Sequence, residues 1–159
     1  KIDDKFFDDL VAVNLKGAFW GCKAAAAAMA ETGGAIINIS SMAAKRGSAN
    51  NAMYCATKFG MNGLTQSLCK ELGPKQIRVN ALCPVLVETD GLIEALSEPD
   101  APGGDDAQAF LKNFKMANSA LGRLPTGADV GNMTVFLAST AASGITGQCI
   151  NVDCGVFPQ

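Results

Sequence analysis

The chain has no histidine, so the commonest general acid–base side chain is missing, and with it the usual partner of cysteine at zinc sites. Its six cysteines, Cys22, Cys55, Cys69, Cys83, Cys149 and Cys154, form no C-x-x-C pair, and no metal site is expected. A basic stripe is also missing. Thirteen Lys and Arg against fifteen Asp and Glu give a net charge of −2 and a pI of about 5.0, which argues against nucleic acid as a partner. No uncharged run reaches the length of a membrane span, because Asn14, Lys16 and Lys23 interrupt the tempting stretch from 10 to 30. The acidic, amphipathic start is unlike a secretory signal.

What is present suits one globular domain with a real core: 159 residues, 48% apolar and 18% charged. The cysteines sit mostly in apolar runs and read as buried, reduced thiols of a cytoplasmic protein. Helix is expected over 4–31, with its Ala24–Ala28 run, stopped by Gly33-Gly34. Ala35 to Ser40 read as a buried strand. Residues 52–72 read as a helix closed by Gly73-Pro74, and Gln76 to Cys83 as the next strand. Residues 90–120 are irregular and acidic around Pro99 to Asp106, then helical. Thr126 and Asp129 have capping-box spacing and begin a helix to about Ser139; Gln148 to Val152 form the last strand. Alternating helix and strand predicts an α/β fold with a parallel sheet.

The lone tyrosine, Tyr54, carries the sharpest chemical signal. Lys58 follows it by four residues, and Ser41 precedes it by thirteen, just beyond the run Ile36 to Ser40. An ammonium one helical turn from a phenol favours the phenolate, which gives an acid–base group without histidine. A serine hydroxyl at the same point can bind a carbonyl or alcohol oxygen. A Tyr and Lys four apart are by themselves an ordinary surface pair; here the setting, a buried strand end and a helix start, strengthens the signal. Ser40 competes for the serine role, and the spacing favours Ser41. Asn14 stands within a helical run, where its side chain competes for backbone bonds, so a kink or a functional role is expected there.

Across essentially its whole length the chain resembles the short-chain dehydrogenase/reductase family. The resemblance rests on Val13-Asn14-Leu15, Ile36 to Ser41, Tyr54-x-x-x-Lys58, Ile77-Arg78-Val79-Asn80-Ala81 and Thr146-Gly147-Gln148 through Asn151-Val152-Asp153, in matching order and spacing. It implies a Rossmann-like, doubly wound parallel sheet. It implies a catalytic set of Asn14, Ser41, Tyr54 and Lys58, with Tyr54 as acid/base, Lys58 also bonding the nicotinamide ribose, and Asn14 holding a water. NAD or NADP is then the cofactor, touched by Tyr54, Lys58, Pro84, Val87 and Thr89. Val85 stands where the family usually has Gly, and Asp153-Cys154-Gly155 where Asp-Gly-Gly is usual. Thr89 equally fits a helix N-cap. The partners implied are a small carbonyl or alcohol substrate and further copies of the chain, as a tetramer or dimer built on the helices at 4–31 and 52–72.

A dinucleotide fold needs a glycine-rich turn between its first strand and helix. Neither G-x-G-x-x-G nor G-x-x-x-G-x-G occurs, and Gly33-Gly34 and Gly103-Gly104 lack the strand-to-helix setting. The expectation is therefore that residues 1–159 form only the C-terminal strands and helices of one such domain, with a substrate flap at about 90–120. Roughly ninety residues of the first half would be missing, leaving strand 35–40 with a free edge. In the flap, Phe110, Leu111, Phe114 and Met116 fit either a core-facing stripe or an apolar substrate wall. Lys45-Arg46 read as solvated surface. Two rival functions stay open: a non-catalytic assembly or binding module, and an epimerase or dehydratase of the same superfamily.

Overall fold

The computed structural model describes residues 3–98 and 100–159, so Lys1, Ile2 and Pro99 lie outside it. Among the described residues three strands make one parallel sheet in the order β1 (Gly34–Ile39), β2 (Ile77–Pro84), β3 (Cys149–Val152). Gly34 pairs with Ile77 and Ile39 with Leu82; Ala81 pairs with Cys149 and Pro84 with Val152. The central strand is the most buried: Val79, Ala81, Leu82 and Cys83 have no exposed surface. Its near-continuous apolar run is what a strand covered on both faces requires. The outer edge of β1 has no partner strand among the described residues, and Ile39 remains 48% exposed.

Side-chain alternation along the strands assigns the two faces. On one, Ile36, Ile77 and Val79 meet Cys22 of α2 (Gly17–Ala28) and Leu64, Leu68 and Leu72 of α3 (Ala52–Leu72). On the other, Leu82, Ile37 and Ile150 meet Val130, Met133 and Leu137 of α6 (Gly127–Ala138). The result is a helix–sheet–helix sandwich, the Rossmann-like arrangement expected. A third apolar cluster lies beyond the end of β2. There Val85 packs with Leu96 of α4 (Asp90–Leu96), with Ala107 and Leu111 of α5 (Ala107–Asn118), and with Leu124.

The first helical stretch starts with α1 (Asp4–Leu10), capped by Asp3, whose carboxylate accepts the Phe6 N–H at 2.8 Å. It then widens into a π-helical turn, Val11–Lys16, before α2. Helix ends at Ala28, earlier than expected, because the Thr32 and Gly33 N–H groups turn back onto the Met29 carbonyl. Gly33 has φ +67, and a Cβ there would stand 2.9 Å from the Gln76 oxygen, so glycine is required twice over. The capping box at α6 forms: Thr126 Oγ1 accepts the Asp129 N–H at 3.2 Å and Asp129 accepts the Thr126 N–H at 2.7 Å.

The irregular stretch contains more helix than its sequence suggested, since Thr89 caps α4 by accepting the Leu92 N–H at 3.2 Å. Phe110 and Phe114 pack onto the third cluster with Leu111, 6.1 Å between their ring centroids, while Met116 is 73% exposed. The stripe is therefore core-facing for the first three and not for Met116. All six cysteines are free, but only Cys22, Cys55 and Cys83 are buried. Cys69, Cys149 and Cys154 are partly exposed, which corrects the uniform burial expected of them.

Candidate active site

The site grows from the carboxyl ends of β1 and β2, where open α/β sheets leave a crevice. Tyr54 lies in the first turn of α3 and is half-buried. Buried positions of α3 recur at helical spacing: Thr57, Lys58, Met61, Asn62 and Thr65. Four of these five are polar, so this face of α3 is held by hydrogen bonds as well as by apolar contact.

Lys58 organises the centre. Its side chain is buried to 9% exposure, and its ammonium donates to the Ile39 carbonyl, the last of β1, at 3.0 Å. The same ammonium lies 5.7 Å from the centroid of the Tyr54 ring. One N–H of three is thereby used, and the others have no protein partner among the described residues. Burial pushes the Lys58 pKa below the usual lysine value, and the nearby Cys83 opposes this in part.

The two serines after Ile39 have different fates. Ser40 is buried, its N–H bonded to the Leu82 carbonyl at 2.7 Å and its hydroxyl donated to the Lys58 carbonyl at 3.4 Å. Ser41 is half-buried and extended at φ −162, and caps the 3-10 turn Met42–Ala44. Its Oγ accepts the Ala43 N–H at 3.1 Å, which leaves the hydroxyl proton free to donate elsewhere. The structure therefore separates the serines: Ser40 is used up internally and Ser41 is not.

Asn14 lies within the π-helical turn, a feature frequent at functional sites. Its Nδ2 donates to Thr57 Oγ1 at 3.3 Å, and Thr57 Oγ1 donates to the Tyr54 carbonyl at 2.8 Å. Asn14, Ser41, Tyr54 and Lys58 are thus gathered around the start of α3 and the end of β1. Pro84, Val87 and Thr89 follow from the end of β2, the adjacent strand, and no hydrogen bond among the described residues links them to Tyr54 or Lys58. Thr89 is exposed and its oxygen serves the α4 cap, the structural role foreseen for it. Val85 keeps a negative φ and is buried, so the chain leaves β2 without the glycine turn.

Three residues beside the centre were not singled out from sequence: Thr57, Asn62 and Cys83. For Thr57 and Asn62 the signal available was a polar residue on the buried face of a helix; Cys83, on β2, read only as a buried thiol. A cavity of about 410 Å³ opens between Glu88 and α5, lined by Asp106, Gln108, Lys112 and Lys115 among others, but by none of Ser41, Tyr54 or Lys58. Lys45 and Arg46 touch the C-terminal tail, Lys45 donating to Gln159 at 3.2 Å and Arg46 lying 5.2 Å from the Phe157 ring centroid. The tail closes on a turn with Cys154 at φ +54 and Gly155 at φ +79, the buried Asp153 accepting the N–H groups of Gly155 and Phe157.

Known proteins are similar to this chain in sequence and in fold. The family model described as enoyl-(acyl carrier protein) reductase matches residues 1–157. A 3alpha-hydroxysteroid dehydrogenase of Mediterraneibacter gnavus is 40% identical over 148 residues, covering 92% of this chain and 54% of that protein. A short-chain type dehydrogenase/reductase from Mycobacterium ulcerans superposes with a TM-score of 0.86 at 33% identity, covering 98% of this chain and 54% of that one. Carveol dehydrogenase from Mycobacterium avium, solved in complex with NAD, gives a TM-score of 0.87 at 29% identity, over 98% of this chain and 58% of that one. The chain thus spans little more than half the length of these relatives. With the family model matching residues 1–157 and the fold superposing on a member over 98% of the chain, the chain belongs to the short-chain dehydrogenase/reductase family.

Proposed function

We propose that the protein is an NAD(P)-dependent oxidoreductase that interconverts a small carbonyl compound and the corresponding secondary alcohol, with Asn14, Ser41, Tyr54 and Lys58 as its catalytic residues. The observation that carries this reading is the Lys58 ammonium, held on the Ile39 carbonyl at 3.0 Å with the Tyr54 ring beside it. It ties the strand end that presents Ser41 to the helix turn that presents Tyr54.

A bound nicotinamide dinucleotide supplies the hydride donor or acceptor. The residues present fit its nicotinamide-ribose end, since Lys58 keeps two N–H donors unused at the crevice among the described residues. In reduction Ser41 donates its hydroxyl proton as a hydrogen bond to the substrate oxygen, and Tyr54 transfers the phenolic proton to that oxygen as charge develops on it. In oxidation the phenolate oxygen of Tyr54 takes the alcohol proton. Lys58 holds its ammonium beside the Tyr54 ring and would give its free N–H groups to a ribose hydroxyl. Asn14, tied to Thr57, holds a water that connects the lysine to solvent. Pro84, Val87 and Thr89 border the cofactor, and residues 90–120 act as the flap over the substrate, within one Rossmann-like domain.

Two further readings belong with this proposal. Phe6, Phe7, Val13, Phe19 and Trp20 on the first helical stretch and Phe59 on α3 are at least 40% exposed, which fits a homodimer or homotetramer in which a second copy covers these helices. The free thiols fit a reducing, cytoplasmic setting; among the described residues no helix is long and apolar enough to cross a membrane.

The test is steady-state turnover of NADH and NADPH with a panel of ketones, comparing the protein with Tyr54→Phe. Removing the proton donor is expected to lower kcat by roughly 10²–10⁴ while dinucleotide binding persists. Turnover that survives in Tyr54→Phe would remove Tyr54 from the chemistry, and failure to bind either dinucleotide would sink the proposal.

A further inference from the structure

Ser41 lies beyond the last paired residue of β1, so the sheet ladder does not fix it. Its direction is set by the 3-10 turn Met42–Ala44, which it caps. That turn is gripped at its far end: Asn62 Nδ2 on α3 donates to the Ala44 carbonyl at 3.2 Å. The Asn62 amide also meets the Cys83 sulfur on β2, with Nδ2 to Sγ at 3.7 Å and Sγ to Oδ1 at 3.8 Å. Both side chains are deeply buried, Asn62 at 7% exposure and Cys83 at 0%. Burial pushes the Cys83 thiol up, against the opposing influence of the Asn62 side chain, the Lys45 charge, the Ser40 hydroxyl and the Ser41 backbone.

The Asn62 amide thus bridges the Cys83 thiol on β2 and the turn that follows Ser41. Asn62 follows Lys58 by one helical turn, so a single face of α3 holds both ends of the loop: Lys58 the Ile39 carbonyl before Ser41, Asn62 the Ala44 carbonyl after it. An asparagine whose amide is turned on both sides to buried partners is costly to keep in a helix unless it secures something specific.

We propose that Asn62 and Cys83 are positioning residues for Ser41, fixing the turn that aims its hydroxyl at the substrate oxygen. This rests on the reading of Ser41 as the group that meets that oxygen. Reaction geometry tolerates little error, and a displacement of about 1 Å in a catalytic group costs on the order of 10²-fold in rate. Without the Asn62 amide the Ala44 end of the turn is free, and Ser41 can rotate with it.

The experiment is a double-mutant cycle on the intact protein, using NAD(P)H and a ketone that it reduces. Asn62→Ala is expected to lower kcat about 10- to 100-fold, with KM for the dinucleotide unchanged. In the Ser41→Ala background the same substitution should change kcat less than about 2-fold, because the group being aimed is gone. Cys83→Ala should behave likewise but more weakly, and Cys83→Ser, which keeps a donor and acceptor under the turn, should restore most of the rate. These two variants carry the test if Asn62→Ala does not fold. Equal losses from Asn62→Ala and Cys83→Ala in both backgrounds, or a change in melting temperature alone, would overturn the proposal. If Ser41→Ala itself retains full turnover, the underlying assignment of Ser41 falls, and this inference with it.

Discussion

Asn80 is a fully buried side chain that stands where the β2–β3 ladder begins. Its Nδ2 donates to the Ile145 carbonyl at 2.9 Å and its Oδ1 accepts the Gln148 N–H at 3.0 Å. It thus pins both sides of the Thr146-Gly147 turn before β3 pairs at Cys149. Asn80→Ala removes two hydrogen bonds worth about 1 kcal/mol each. The Ile145 carbonyl keeps a second, longer partner in Arg78 Nη1 at 3.4 Å, and Gln148 is an exposed residue that water can reach. Both facts hold the expected loss near 2 kcal/mol rather than at the upper end for orphaned buried groups. With a urea slope of about 2 kcal/mol/M, the unfolding midpoint should fall by roughly 1 M. Asn80→Asp is the sharper control. It keeps the acceptor for Gln148 but sets a carboxylate oxygen against the Ile145 carbonyl, so at pH 7 it should cost at least as much as alanine. Protonation restores a donor, so the aspartate variant should recover relative to alanine as the pH is lowered. A loss below about 0.5 kcal/mol for Asn80→Ala, or an aspartate variant more stable than alanine at pH 7, would refute the claim that this amide sets the turn.

Two further perturbations test the packing around the site. Lys58 has a folded-state pKa lowered by burial, so between that value and the ordinary lysine value the unfolded chain binds more protons than the folded one. Stability of the wild type relative to Lys58→Met should therefore rise with pH across the alkaline range, having been lowest where Lys58 is fully charged; a difference that stays flat would contradict the burial of the charge. At Gly147, φ is +73 and a Cβ would stand 2.6 Å from Cys69 Sγ. Gly147→Ala should cost about 2–4 kcal/mol from left-handed strain and overpacking together, and Cys69→Ala should relieve only the overpacking part; no rescue in a thermal melt of the double variant would show that the clash is absent.

The sequence by itself determined the fold class and the chemical vocabulary of the site. The apolar runs within 35–40 and 76–83 read as strands, and Thr126 with Asp129 announced the α6 cap, because these features depend on residues close in the chain. Tyr54 and Lys58 were legible for the same reason: four residues on a helix fix their proximity. What the sequence left open was contact between distant segments. Ser40 and Ser41 are adjacent and chemically alike, and only the packing of Lys58 and its carbonyl against the end of β1 separates them, burying one hydroxyl and leaving the other half-exposed. Asn14 pointed in sequence to a kink or a functional role; that it reaches Thr57 forty-three residues away depends on how the π-helical turn docks on α3. Nor could Cys83 be told from an ordinary buried thiol until α3 placed Asn62 against its sulfur. Hydrogen bonds across such separations are decided when the sheet and helices close on one another. Tertiary packing therefore decided which of several equivalent polar residues are consumed by the fold and which stay free at the crevice.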